Sequence, residues 1–142
     1  MPFLNSYINF NGNCEQAFNL YKSVFGGEFS DISRFGDVPP GSPGMEGADP
    51  NKILHVSLPV GQHCMLMGSD CPPSFGTGTQ GNLFNISITA DSKEEADRLF
   101  NGLSAGGQVF MPMADSFWGS YFGMLTDPFG VQWMVSYEYP KS

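Results

Sequence analysis

Two stretches of the chain share one pattern: "NCEQAFNLYKSVFGGEF" from Asn13 and "SKEEADRLFNGLSAGGQVF" from Ser92. At an offset of 79, Asn13 matches Ser92, Ala17 matches Ala96, Leu20 matches Leu99, Tyr21 matches Phe100 and Val24 matches Leu103. One extra residue then brings Gly26-Gly27 onto Gly106-Gly107. A fold that accommodates one copy must accommodate the other, so this repeat restricts the architecture more than any other feature. Both stretches read as amphipathic helices. Asn13 and Ser92 stand at the N-cap, with Gln16 or Glu95 three residues on at capping-box spacing. Ala17, Phe18, Tyr21, Val24 and Phe25 form one apolar stripe; Ala96, Leu99, Phe100 and Leu103 form the other. The glycine pairs offer the left-handed residues on which helices end.

A strand precedes each helix, "SYINF" before the first and "LFNISIT" before the second, and three strands follow each. These lie at about 28–35, 52–60 and 63–69, then at about 107–112, 119–126 and 131–137. The last strands align too, because "VGQHCML" (60–66) resembles "FGVQWMV" (129–135) at an offset of 69, which pairs Met65 with Met134. The pattern is βαβββ written twice, an α+β fold of two tandem modules at about 1–70 and 82–138. Together they make a single domain over 1–142, joined by the Pro/Gly-rich linker 71–81. A second polar stretch, 36–50, exceeds the usual connection length and is either a mobile lid or slack in a hinge.

Strand alternation assigns faces. Val131, Trp133, Val135 and Tyr137 suit packing under a helix, which leaves Gln132, Met134 and Ser136 on the opposite, concave side. By the same rule Phe84, Ile86 and Ile88 pack while Asn85 and Ser87 face the concavity. Leu54, Val56 and Leu58 pack while His55 and Ser57 face it, and the first strand contributes Tyr7 and Asn9.

Composition narrows the partners. With 14 Asp and Glu against six Lys and Arg, the net charge of −8 opposes a phosphate backbone, so nucleic acid is not an expected partner. No apolar run approaches the roughly 20 residues of a membrane span. The opening "MPFLNSYINF" lacks the features of a secretory leader, and three sparse cysteines suit reduced thiols; a cytoplasmic location is expected.

Chemical motifs are few. No nucleophile–base pair, phosphate loop or Cys-x-x-Cys is present, and "GTGTQG" (76–81) lacks the preceding strand a dinucleotide fingerprint needs, so no cofactor is expected. His55, His63, Cys64 and Cys71 fit no compact zinc spacing, and His63 and Cys64 are adjacent strand residues that point to opposite faces. His55 is the candidate for proton transfer, since imidazole titrates near neutrality. Phe117, Trp118, Tyr121 and Phe122 form a candidate stacking wall, and Arg34 is one of few cations able to meet an anionic ligand.

The duplicated unit, with "YINFNGNCEQAFNLYKSVFGGEF" at the start and "FWGSYFGMLTDPFGVQWMV" (117–135) near the end, resembles the vicinal oxygen chelate superfamily. That superfamily holds glyoxalase I, bleomycin and fosfomycin resistance proteins and extradiol dioxygenases; the narrower resemblance is to its PhnB-like, 3-demethylubiquinone methyltransferase-like branch. The resemblance implies the glyoxalase/bleomycin resistance/dioxygenase fold and homodimers. In members with metal centres it implies ligands on the first and last strands of each module. Those positions here fall near Tyr7 and Asn85 and on Met65 and Met134, a poor set for a hard divalent metal. The expected function is therefore metal-free binding of a small molecule, in pockets lined by Tyr7, Asn9, His55, Met65, Asn85, Phe117, Trp118, Tyr121 and Met134. Isomerase, lyase or dioxygenase chemistry of the glyoxalase/dioxygenase type, with His55 as base and a metal held by atypical ligands, is the alternative, and quinone methylation, which lacks a visible methyl-donor site, is the third reading.

Overall fold

The computed structural model describes residues 2–79 and 81–140; Gln80, within the 71–81 stretch, and the three residues at the chain ends lie outside them. The chain divides into two compact units, 1–79 and 80–142. Residues 71–79 belong with the first unit, where Cys71 N–H donates to Phe10 O at 2.7 Å and the Asn11 side chain bonds both the N–H and the carbonyl of Gly78.

In the first unit, β1 (Ser6–Phe10) leads into α1 (Cys14–Phe25), followed by β2 (Asp31–Arg34), β3 (Ile53–Val60) and β4 (Cys64–Asp70). The sheet order is β1-β4-β3-β2, with β1 parallel to β4 and the other pairs antiparallel. The α1 stripe of Ala17, Phe18, Tyr21 and Val24 is buried with Val56, Leu58 and Leu66 of the sheet. Phe18 reaches the sheet because position 68 is glycine: a Cβ there would stand 2.7 Å from Phe18 Cε1.

The helix start differs from the capping box expected of Asn13 and Gln16. Asn13 makes no side-chain cap bond. Asp70, at the end of β4, takes that part: its Oδ1 accepts from Gly12 N and Cys14 N at 2.9 and 3.0 Å, and its Oδ2 from Ile53 N at 2.9 Å. A carboxylate held across the sheet satisfies donors that a local cap would otherwise serve.

The second unit repeats the topology. β5 (Ile86–Thr89) precedes α2 (Lys93–Ser104), then β6 (Gln108–Asp115), β7 (Ser120–Thr126) and β8 (Gln132–Glu138), in the order β5-β8-β7-β6. Here Ser92 does cap its helix, Oγ accepting from Glu95 N at 3.0 Å, while Glu95 Oε1 accepts from Asp91 N at 2.9 Å. Ala96, Leu99, Phe100 and Leu103 are buried with Leu125, Trp133 and Val135. The turn "DPFG" is fixed by Asp127, whose Oδ1 accepts from Phe129 N and Val131 N and whose Oδ2 accepts from Trp133 Nε1 at 2.9 Å.

β5 is shorter than expected. It begins at Ile86, where its parallel ladder with β8 starts at Trp133. Phe84, assigned to the packed side, is 84% exposed, and Asn85 lies ahead of the strand, also exposed. The 36–50 loop carries no strand or α-helix; its base is clipped by Phe35 N to Lys52 O and Gly36 N to Pro50 O. Among the described residues, no helix is long and apolar enough to cross a membrane.

Candidate functional site

Each sheet has a face turned away from its own helix, and the strand ladders define what stands there. In the first unit Tyr7 lies opposite Met67, Met67 opposite Ser57, and Ser57 opposite Asp31. One step along, Asn9 lies opposite Ser69 and His55 opposite Ser33. Tyr7, Asn9, His55 and Met65 thus share one face. His55 Nδ1 is 2.7 Å from Asp31 Oδ2, with side-chain exposures of 33% and 57%. The carboxylate favours a proton on Nδ1, which leaves the Nε2 lone pair as the basic end of the ring. Tyr7 borders it, ring centroids 5.9 Å apart, and Ser69 Oγ donates to Asn9 Oδ1 at 3.2 Å. Met65 lies nearer the strand's start, with Ser30 Oγ 3.8 Å from its sulfur. His63 is exposed in the β3–β4 turn.

Arg34 is engaged elsewhere. Its guanidinium meets Glu15 in a two-pronged pair, Nη1 to Oε1 at 3.0 Å and Nη2 to Oε2 at 2.7 Å. That contact holds the Glu15 carboxyl below its ordinary pKa. An anionic ligand would have to displace it.

In the second unit, Ser87 lies opposite Met134, Met134 opposite Met124, and Met124 opposite Met111. A second row runs Thr89, Ser136, Phe122, Ala114. Phe117 and Trp118, in the β6–β7 connection, are 97% and 54% exposed. The Trp118 ring packs 5.5 Å from Phe122, so an aromatic edge runs from the loop onto the methionine face.

Tyr121 departs from the expected wall. It lies opposite Tyr137, on the helix side, where its hydroxyl donates to Asp97 Oδ1 at 2.6 Å and Lys93 Nζ sits 4.6 Å from its ring centroid. The Asp97 hydrogen bond, with some desolvation, raises the phenol's pKa to about 12. The phenol's contribution to stability is therefore complete below its unfolded pKa of about 10 and is lost as pH rises through 12. Ultraviolet titration of the tyrosinate band is expected to show this late ionisation, and Asp97→Asn to bring it back toward 10; a Tyr121 that ionises normally in the wild type would refute the contact.

The ladders also revise the repeat. Phe10 and Ala90 are both buried, at 4% and 5%, just ahead of their helices. Three residues earlier stand Tyr7 and Ser87, whose ladder partners are Met67 and Met134. The methionine related to Met134 is thus Met67, at an offset of 67, and the counterpart of Met65 is Gln132. Asp31, Met67, Met111 and Met124 join the two faces without having been singled out by the sequence. Alternation would have placed Met67 and Met124, but Asp31 and Met111 depend on pairing register.

A family model described as the Glyoxalase/Bleomycin resistance protein/Dioxygenase superfamily matches residues 4–135. The chain belongs to that superfamily. It is 32% identical to protein YjdN of Escherichia coli strain K12 over 96% of this chain and 95% of that one. The crystal structure of protein PA1353 from Pseudomonas aeruginosa is 44% identical, with a TM-score of 0.84 over 97% and 98% of the two chains. A putative 3-demethylubiquinone-9 3-methyltransferase, the PhnB protein of Bacillus cereus, shares the fold at a TM-score of 0.75 and 24% identity, over 94% and 98%. Within the superfamily's frame, the first- and last-strand positions of this chain hold a phenol, thioethers and a serine hydroxyl, at Tyr7, Met67, Met134 and Ser87. That donor set does not fit a hard or borderline divalent cation. Among the described residues no three His, Cys, Asp or Glu stand together.

Proposed function

We propose that this superfamily member binds a small organic molecule on the sheet faces turned from its helices, as a cytoplasmic homodimer without a divalent metal centre. The observation that carries the reading is the thioether at both last-strand positions, Met67 and Met134, each beside aromatic or further methionine side chains. Unbranched, polarisable thioethers adapt to apolar ligands and gain about 0.3–1.5 kcal/mol per aromatic contact. Titration calorimetry with zinc, nickel, manganese and magnesium is expected to show no tight stoichiometric uptake, and such uptake would overturn the reading. Light scattering is expected to report two copies.

The His55–Asp31 pair favours a second reading, proton-transfer chemistry on the first unit's face. It predicts that His55→Ala abolishes whatever turnover the protein shows; unchanged turnover removes it. Quinone methylation would require S-adenosylmethionine binding, and none is expected.

A further inference from the structure

We infer that Met111, Met124 and Met134 form a site for a soft monovalent cation, Cu(I) or its redox-inert analogue Ag(I). The three residues are consecutive partners across β6, β7 and β8, so their side chains leave the sheet on one face and in one row. Strands about 4.8 Å apart put the outer two Cα atoms about 10 Å from each other. Methionine's three rotatable bonds let the outer sulfurs lean over the central one. Met111 is 48% exposed and the other two are half-buried, so the row is reachable.

The chemistry of the row selects its ion. Thioethers are soft, neutral donors that suit Cu(I) and bind hard divalent ions poorly. No lysine or arginine occupies this face of β5, β7 or β8, and the chain's net charge of −8 draws cations toward it. Met113 is excluded: the register shift between Met111 and Ala114 turns it to the helix side, where its sulfur, with Phe100, fills the space a Cβ at Gly123 would take. Among the described residues the first unit has no such row, because Met67 lies between Tyr7 and Ser57.

This site goes beyond the organic-ligand reading, which survives if the cation does not bind. Thiols would outcompete thioethers, so the test uses the full chain carrying Cys64→Ser and Cys71→Ser; Cys14 is buried. Ag(I) is titrated while the methionine ε-methyl resonances are followed by NMR. With one equivalent, the Met111, Met124 and Met134 methyls are expected to shift together while those of Met45, Met65 and Met67 stay in place. Met124→Leu, a volume-conserving change, is expected to weaken the apparent affinity at least tenfold, Met134→Leu to do the same, and Met65→Leu to leave it unchanged. Absent shifts, parallel shifts of all the methionines, or undiminished affinity in both row variants would each overturn the proposal.

Discussion

Asp70→Ala is expected to lower the unfolding free energy by about 3–5 kcal/mol, since each buried donor left without a partner costs about 1–3 kcal/mol. Asp70 is 2% exposed and accepts from three backbone N–H groups, those of Gly12, Cys14 and Ile53. These belong to the β1–α1 turn, the first turn of α1 and the start of β3, so one carboxylate at the end of β4 ties three segments together. The loss is a large part of the roughly 5–15 kcal/mol that holds a domain folded. Asp70→Asn keeps one acceptor oxygen but turns an amide toward the remaining donors, and should fall between Asp70→Ala and the wild type. Asn13→Ala is the companion measurement. Its side chain makes no cap bond, so stability should barely change. Guanidinium unfolding monitored by circular dichroism reads all three; a loss below about 1 kcal/mol for Asp70→Ala would show that the carboxylate does not organise these elements.

That network explains part of what could and could not be read from sequence. The two βαβββ patterns and both helices were legible because local signals create them: apolar stripes at helical spacing and glycines at the exits. The packed face of β8 was legible for the same reason, since Val131, Trp133 and Val135 alternate without interruption and all three are buried. The cap on α1 was not, because its acceptor comes from 56 residues away, at Asp70. Register was the main loss. Sequence similarity matched Met65 to Met134, whereas the position of each methionine in its own ladder makes Met67 the counterpart, two residues along and therefore on the same face. Alternation survives such a slip, but the identity of the counterpart does not. β6 was expected as a strand at about 107–112, but its faces escaped periodicity, as its ladder with β7 shifts between Val109 and Met111 and again between Met111 and Ala114. Tyr121 was grouped with its aromatic neighbours by adjacency, although Phe122 beside it necessarily points the other way.

The candidate site was accordingly legible as a set of chemical types and only partly as a geometry. His55 was placed on the face where it stands, yet Asp31, which converts it from a solitary imidazole into a carboxylate-held one, sits on the edge strand β2. A four-residue strand of mixed polarity, Asp31–Arg34, carries almost no periodic signal, and only pairing to β3 brings its aspartate beside the imidazole. In the second unit, the same dependence on pairing turned one noted methionine, Met134, into a row of three.

Gly107→Ala is expected to cost about 3–4 kcal/mol, at or above the usual range for overpacking. A Cβ at this position would lie 2.2 Å from Thr126 O, 2.9 Å from Asp127 C and 3.0 Å from Asp127 Cα. All three are backbone atoms, so no rotamer change relieves the contact. Relief would need β6 to move from the end of β7, where Gln108 pairs Thr126, or the Asp127 turn to shift, with its bonds to Phe129, Val131 and Trp133. The matching glycine of the first module makes the contrast. Gly27 has φ +80, and an added Cβ would meet nothing within 4 Å, so Gly27→Ala should cost only the roughly 1–2 kcal/mol of a left-handed residue. Gly106, at φ +80 with Pro128 Cγ 3.4 Å from such a Cβ, should cost slightly more than Gly27 and less than Gly107. The repeated glycine pair thus serves two physical ends, backbone handedness at Gly26, Gly27 and Gly106 and close backbone approach at Gly107 alone. Thermal and guanidinium unfolding of the three alanine variants separates them: if Gly107→Ala is no more destabilised than Gly27→Ala, the close approach of β6 to the Asp127 turn is not what keeps a glycine there.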